Sequence, residues 1–233
     1  MSLEFHTPTI YKFGRNVDSD TGDDVWDGSE PYPFPSAAAT TTIVSASTAD
    51  ASAGTGAKTV QVEGLDSDWM HATEVATMDG DQAVTLSTQF LRVYRAKVLT
   101  AGTGETNAGN IQIKHGSTVL AQISAAYGQT LMAIYTLPAT YYGWLANWRC
   151  STDGNTAAKM ALQTREFGGA WQTKDVVLLD TSGSSSIQIR RIGFSRFPPK
   201  TDFRVRVLTG GNVLDVVSQF DLLLNNDDDF PYR

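Results

Sequence analysis

The stretch DFRVRVLT (202–209) carries the clearest structural pattern in the sequence. Apolar and charged side chains alternate in it with a period of two, which places them on opposite faces of an extended strand. The apolar members are Phe203, Val205 and Val207, and the charged ones are Arg204 and Arg206. The pattern predicts a β-strand with one face in a core and the other in polar surroundings.

Similar runs of β-branched and apolar residues recur from residue 40 onwards, separated by turns rich in Gly, Asn and Asp. They are TTTIVSAS (40–47), KTVQVEG (58–64), AVTLST (83–88), FLRVYRAKVL (90–99), NIQIKH (110–115), TVLAQIS (118–124), TLMAIYTL (130–137), DVVLLD (175–180) and SIQIRRIGF (186–194). Many short strands with glycine-rich turns are typical of a β-sandwich or barrel. We therefore expect an all-β body over residues 40–233.

Some segments of this body are ambiguous. NTAAKMALQTREF (155–167) has helical character, but the GGAW and DVVLL that follow favour the strand of a hairpin. VLDVVSQFDLLL (213–224) is interpreted as the closing strand or strand pair. STADASAGTGA (47–57) and TAGTGETNAG (100–109) are expected to be long exposed loops, because they are rich in Gly, Ala and Thr.

Residues 1–39 differ in composition from the rest and predict an extended N-terminal arm or linker. PYPFP (31–35) is extended because proline fixes φ and biases the preceding residue away from the helical region. We predict that Trp26, Tyr32 and Phe34 are the arm's anchors on a partner subunit. The alternative is a proline-rich lead-in that packs on its own domain.

The bulk composition excludes several classes of protein. The chain has 233 residues, a formal net charge of −7 and one cysteine, Cys150, so neither an intrachain disulfide nor a cysteine-based metal site is expected. We see no signal peptide and no apolar run of the ~20 residues that a membrane helix needs, and expect folding in a reducing cytoplasm without a membrane partner.

The C-terminal third is locally basic despite the negative total. Its cations are Arg190, Arg191, Arg196, Lys200, Arg204 and Arg206. We interpret them as solvated strand faces or pairs between subunits rather than a phosphate track, and expect no nucleic-acid partner.

The sequence contains no recognisable catalytic motif. The histidines are His6, His71 and His115, and no nucleophile, zinc or phosphate-loop motif accompanies them. The acidic stretch 18–30 has the oxygen ligands that calcium prefers but departs from the EF-hand spacing. We therefore predict a non-enzymatic protein without cofactor or metal, and the acidic stretch is alternatively a loop that meets a basic partner surface.

YYGWLANWRC (141–150) is the densest aromatic run. As a strand it would place Tyr142, Trp144 and Trp148 on one face. Such a row can stack on sugar rings, and it is also ordinary for a core or a subunit interface. Both alternatives remain open at this point.

Whole segments of the chain resemble virion structural proteins of tailed bacteriophages. They are YKFGRNVDSDTGDDVWDG (11–28), SASTADASAGTGAKTVQVEGLDSDWMHATEVATMDG (45–80), RVYRAKVLTAG (92–102), IYTLPATYYGWL (134–145) and FPPKTDFRVRV (197–207). The resemblance implies a jelly-roll-like antiparallel β-sandwich and an arm that clamps a neighbouring subunit, without catalytic residues. It implies a capsid decoration or cement protein, a homotrimer bound to the major capsid protein or other virion proteins, in virions assembled in the host cytoplasm.

Two other functions compete with this one. A tail, baseplate or fibre component would bind a host-surface glycan through the aromatics of residues 141–148. A carbohydrate-binding or hydrolytic sandwich domain would act on sugars. We also expect carboxylates of the stretch 18–30 to pair with Arg204 and Arg206 of a neighbouring copy.

Overall fold

The structure, a computed structural model, describes residues 8–28, 30–152, 157–179, 185–190, 195–209 and 214–226. The regular structure within these ranges consists of antiparallel strands, without a helix, so the all-β prediction is confirmed. Contacts group the chain into two units. Unit 1 contains Met1–Phe13, Asp18–Val25 and Ala133–Arg233, and unit 2 contains Gly14–Val17 and Trp26–Met132.

Unit 1 holds two sheets. The first has the order β1-β16-β10-β13, with β14 also pairing with β10, and the second has the order β12-β11-β15-β9. The strands are Thr9–Asn16 (β1, which ends in unit 2), Ile134–Thr136 (β9), Tyr142–Thr152 (β10), Ala158–Arg165 (β11), Gln172–Leu179 (β12), Ser185–Arg190 (β13), Arg196–Phe197 (β14), Asp202–Thr209 (β15) and Val216–Asn225 (β16). These strand orders do not confirm a jelly roll.

The inner faces of the two sheets of unit 1 meet through aromatic side chains. Phe203 of β15 stacks on Phe220 of β16 with ring centroids 6.0 Å apart, and Phe197 meets Phe203 edge-on at 4.9 Å. Phe203, Val205 and Val207 are fully buried, as their alternation predicted. Full burial stabilises the fold by about 1.5–3 kcal/mol for a side chain of this kind.

Unit 2 also holds two sheets, in the orders β5-β2-β7-β8 and β4-β3-β6. The strands are Thr41–Ser45 (β2), Ala57–Leu65 (β3), His71–Thr77 (β4), Val84–Thr85 (β5), Arg92–Ala101 (β6), Ile111–His115 (β7) and Thr118–Ile123 (β8). Alternating side chains such as Ile111 and Ile113, or Val60 and Val62, are fully buried. The period-two pattern therefore identified the core faces of this unit as well.

Strand positions agree with the sequence in most places. β11 and β12 form the predicted hairpin rather than a helix, and β16 is a single closing strand. Three strands were not predicted: β4, whose pattern has few buried positions, β1, which lies inside the predicted arm, and the two-residue strand β14. The two units do not coincide with the predicted arm (1–39) and body (40–233). That the body folds without the arm stays a prediction.

The two glycine-rich segments expected to be exposed loops are packed against each other. The N–H groups of Gly102 and Gly104 donate to the carbonyl oxygens of Gly56 and Thr55, each over 2.8 Å. A Cβ on Gly102 would lie 2.5 Å from the carbonyl oxygen of Gly54, so glycine permits this close approach. Both segments lie largely outside strands and keep exposed residues such as Ser52 and Thr103, as expected. Composition did not reveal the backbone pairing between them, because they are distant in the sequence.

Among the described residues, no helical segment has the length and apolar character that crossing a membrane requires.

Candidate functional site

The aromatic side chains of the predicted arm lie in the interior of unit 2. Trp26 meets Tyr32 edge-on at 5.4 Å, and Tyr32 meets Phe34 edge-on at 4.7 Å. The Tyr32 hydroxyl donates to the carbonyl oxygen of Val93 over 2.8 Å. All three rings are buried. This arrangement corresponds to the alternative in which the proline-rich segment packs on its own chain. A partner would reach these rings only if this packing opened, and the partner-binding role stays a prediction.

The backbone of this segment departs from the expected extended form at one position. Phe34 has φ of 43°, in the left-handed region, although it precedes a proline. Its ring is held between Tyr32 and the guanidinium of Arg92, whose Cζ lies 5.6 Å from the ring centroid. The packing of the ring therefore outweighs a local cost of about 1–3 kcal/mol.

The aromatic strand β10 contains a β-bulge that separates its tryptophans. Leu145 pairs with Leu222, but Asn147 pairs with Asp221, so one residue of β10 is skipped. Trp144 lies opposite Leu223 and Trp148 opposite Phe220, and these two β16 residues point to different faces. The prediction that Tyr142, Trp144 and Trp148 share a face was therefore wrong, because an inserted residue inverts the alternation.

Both tryptophans of β10 are buried, at 0% exposure for Trp144 and 1% for Trp148. The Trp148 indole N–H donates to the Ser218 hydroxyl over 3.0 Å. Tyr142 is half-buried, and the Arg196 guanidinium lies 5.1 Å from its ring centroid. The structure thus favours the core alternative for the tryptophans over stacking on a sugar.

The outer face of the same sheet is polar beyond the bulge, from Asn147 of β10 onwards, and we call this part the polar face. One row crosses four strands: Gln188 of β13 pairs with Arg149 of β10, Arg149 pairs with Gln219 of β16, and the Tyr11 hydroxyl of β1 donates to Gln219 Oε1 over 3.0 Å. The flanking rows are Arg190, Asn147 and Asp221 on one side, and Ser186, Ser151 and Val217 on the other. Polar residues already alternate with apolar ones at positions 147–151 of the sequence. The sequence analysis considered only the aromatic residues of this strand.

Hydrogen bonds within the polar face hold its amides in fixed orientations. Gln188 Nε2 donates to Asn147 Oδ1 over 3.1 Å, and Asn147 Nδ2 donates to Asp221 Oδ2 over 3.2 Å. Arg149 Nε donates to the Ser186 hydroxyl over 3.3 Å. A shallow depression of about 180 Å³ lies beside them, lined by Arg149, Ser151, Val217, Ser218 and Gln219.

The second sheet of unit 1 carries a cluster of arginines, which we call the arginine cluster: Arg165, Arg204 and Arg206. Asp24 lies 3.2 Å from Arg206 Nε and 3.6 Å from Arg204 Nη1, and Asp202 lies 2.6 Å from Arg165 Nη2. The guanidinium carbons of Arg204 and Arg165 lie 3.9 and 4.7 Å from the Trp171 ring centroid. The expectation of a solvated face was wrong here, because the segment 18–25 covers the strand.

Burial lowers the pKa of Arg204 to about 10, while the Asp24 carboxylate opposes that shift. Arg206 and Arg165 add to the lowering because they are nearby positive charges. Arg204 therefore depends on Asp24 for charge compensation.

The carboxylates of the acidic stretch are dispersed rather than gathered. Asp24 faces the arginine cluster in unit 1, whereas Asp27 accepts from Arg15 Nε over 2.8 Å in unit 2. Asp23 Oδ2 accepts from the backbone N–H of Asp20 over 3.0 Å. The described part of the chain contains no group of three or more His, Cys, Asp or Glu side chains able to hold a metal ion.

The histidines and the cysteine do not form a nucleophilic site in the described residues. His115 Nε2 lies 3.2 Å from the Thr41 hydroxyl, and burial lowers the pKa of this imidazole. Burial raises the pKa of the Cys150 thiol to about 12, which keeps it protonated and unreactive at neutral pH. His6 and Arg191 lie outside the described residues.

A buried carboxylate that the sequence analysis did not identify organises the paired loops of unit 2. Asp50 Oδ1 accepts from the backbone N–H groups of Ala57 and Ala108, both over 2.7 Å. Asp50 Oδ2 accepts from the Ser45 hydroxyl over 2.6 Å and from the Gly109 N–H over 2.9 Å. All four bonds serve the architecture of the chain, so we assign Asp50 a structural role. No sequence motif marks it.

Strand β12 presents apolar side chains at the edge of its sheet. Leu178 is 70% exposed and Val176 is 40% exposed, while Val177 and Leu179 between and beside them are buried. In the described part of unit 1, β12 pairs with β11 alone. An apolar strand at a sheet edge is prone to pair with another chain.

Comparisons with known proteins do not assign a family to the chain. No family model matches it, and no curated protein matches it. Three similar solved structures are TmCBM61 in complex with β-1,4-galactotriose, the arabinose-bound α-L-arabinofuranosidase MgGH51, and the infectious bursal disease virus Gt strain.

All three similarities are weak. Sequence identity to the chain is 19%, 9% and 9%, in the same order, and the TM-scores are 0.22, 0.25 and 0.23. The matches cover 51%, 91% and 94% of this chain. The chain spans 64%, 32% and 72% of the three matched chains, respectively. These scores carry no argument about function, and the matches do not point to tailed bacteriophages.

Proposed function

We propose that the chain is a non-enzymatic structural protein that works through subunit contacts, and that it is a decoration or cement protein on the head of a tailed bacteriophage. The observation that carries the proposal is the exposed apolar edge of β12. Leu178 and Val176 project from the same face of this strand, because they are two residues apart.

An edge of this kind makes a protein prone to associate in solution. Exposed β-branched and aliphatic side chains beside unpaired strand N–H and C=O groups promote association. Lys159, which lies opposite Leu178 on β11, is the charged neighbour of this edge. A second copy of the chain that covers β12 would bury the apolar pair and leave the lysine at the rim, as in other subunit interfaces.

The resemblance of whole sequence segments to virion proteins supports the location on a virus particle. A homotrimer with jelly-roll-like subunits that contacts the major capsid protein is the form this proposal takes. Assembly in the host cytoplasm agrees with one buried thiol.

The experiment that tests the contact is sedimentation equilibrium of the purified chain over a range of concentrations. We expect a trimer, and Leu178→Lys should weaken it at least tenfold because a charge would enter the apolar interface. The matched control is Val75→Lys, which changes a 53% exposed residue of strand β4 in unit 2 and should leave the association constant unchanged. A monomer at all concentrations would contradict the proposal.

The experiment that tests the location is immunogold electron microscopy of the virus, with antibody raised against the chain. Gold distributed over the head supports the decoration role. Gold at the tail supports the tail, baseplate or fibre alternative, and the absence of gold on intact and opened particles would overturn the virion assignment.

A further inference from the structure

We infer that the polar face of unit 1 is a binding site for an uncharged oligosaccharide, with Arg149 and Gln219 as its central contacts. This inference goes beyond the proposed subunit contact, since it concerns the other sheet of unit 1.

The polar face offers hydrogen-bonding groups that its internal network does not use. The Tyr11 hydroxyl and Asn147 fix the amides of Gln219 and Gln188. Within the described residues, Gln219 bonds through Oε1 and Arg149 donates through Nε, which leaves the Gln219 amide nitrogen and the terminal nitrogens of Arg149 for a ligand. These groups are therefore oriented in advance, which reduces the entropy lost when a ligand binds.

The mixture of donors and acceptors indicates the chemistry of the ligand. Sugar hydroxyls both donate and accept hydrogen bonds, so they can satisfy the donors of Arg149 and Gln219 together with the Ser151 hydroxyl, which lines the same depression. A polyanion could satisfy the donors alone and would leave Asp221 facing negative charge. The chain's formal net charge of −7 also disfavours a polyanion.

The dimensions agree with an extended chain of sugars rather than a compact ligand. The row from Gln188 to Tyr11 crosses four strands, which corresponds to about 14 Å at the usual strand spacing. The depression of about 180 Å³ is smaller than the ~300–1,000 Å³ of typical small-molecule pockets.

An aromatic ring stands at one end of the row. Tyr11 is 51% exposed, and its ring centroid lies 5.5 Å from that of Phe13. The exposed Tyr11 ring can pack against the apolar side of a sugar ring while its hydroxyl stays on Gln219.

The polar face is a binding site rather than a hydrolytic one. Glycoside hydrolysis requires two carboxyl groups about 5–10 Å apart across the scissile bond. Asp221 supplies the single carboxylate among the described residues of the polar face.

The test is an array of uncharged oligosaccharides of two to six residues built from glucose, galactose, mannose and N-acetylglucosamine. It is probed with the full chain and followed by isothermal titration of the strongest binder. We expect Arg149→Ala and Gln219→Ala each to weaken binding at least tenfold. Glu166→Ala changes an exposed residue that directly follows β11, on the other sheet of unit 1, and should leave the affinity unchanged.

Urea unfolding of each variant accompanies the titration, because both substitutions lie on the surface and should leave stability unchanged. No binding to any oligosaccharide of the array would overturn the inference. A binder whose affinity survives both substitutions would overturn it as well. Neither result depends on the oligomeric state, so this inference and the proposed subunit contact can fail separately.

Discussion

The carboxylate of Asp24 lies 3.2 Å from Nε of Arg206 within unit 1, and its other oxygen lies 3.6 Å from Nη1 of Arg204. Backbone bonds hold the same segment on β15: the Gly22 N–H donates to Val207 O over 2.8 Å and the Val25 N–H to Val205 O over 2.9 Å. The sequence had suggested this charge pairing between neighbouring copies. The structure has it within one chain, where it ties residues 18–25 to the sheet.

Asp24→Asn should destabilise the chain by roughly 3 kcal/mol, because it removes the negative charge that lies between Arg204 and Arg206. Arg204 is almost fully buried, so water cannot replace this charge. The measurement is the urea midpoint followed by tryptophan fluorescence. The control is Glu166→Gln, an exposed carboxylate of the same unit, which should shift the midpoint little. Equal stability of the two variants would show that the Asp24 pairs contribute nothing.

Asp50→Asn should destabilise unit 2 by about 3 kcal/mol or more. In this variant an amide nitrogen would face N–H groups that now donate hydrogen bonds to the carboxylate oxygens. Gly56→Ala should have a similar effect, since the added Cβ would lie 2.1 Å from Asp50 Oδ1. Differential scanning calorimetry measures both. The exposed Asp81→Asn is the control, and an unchanged melting temperature for Asp50→Asn would refute the structural role.

Trp148→Ala should lower the free energy of unfolding by about 3–5 kcal/mol, because it empties a large core position and removes the bond to Ser218. Arg149→Ala, one residue further along the same strand, should have little effect, because that side chain is on the outer face. Chemical unfolding of both variants checks this. A Trp148→Ala variant with wild-type stability would return this tryptophan to the set of candidate ligand contacts.

Strands with strong alternation were predictable because one buried face selects apolar residues at every second position. β15 occupies residues 202–209 as predicted, and β7 and β8 lie within their predicted runs. β4 was missed because it lies at a sheet edge, where few of its positions are buried and the pattern fades. The order of strands within sheets depends on contacts between distant residues, which local periodicity does not contain.

The candidate sites show the same limit at the level of single residues. Side chains of β10 alternate between the two faces on either side of residue 146, as predicted. The bulge at this residue places Trp148 on the face opposite Trp144. The polar face could be assembled only when β13, β10, β16 and β1 were placed side by side. Each strand contributes one or two polar side chains, which are unremarkable when read alone.

From the sequence alone it follows that the chain forms β-strands, that Phe203, Val205 and Val207 of β15 face a core, and that β11 and β12 form a hairpin with a glycine turn. These properties follow from local alternation and turn residues. The three-dimensional structure was needed to show that Tyr32 and Phe34 pack within their own unit, that Asp24 pairs with Arg206, and that Asp50 joins two glycine-rich segments. Burial and pairing of these groups depend on neighbours tens to hundreds of residues away, and no local pattern encodes the approach of such neighbours.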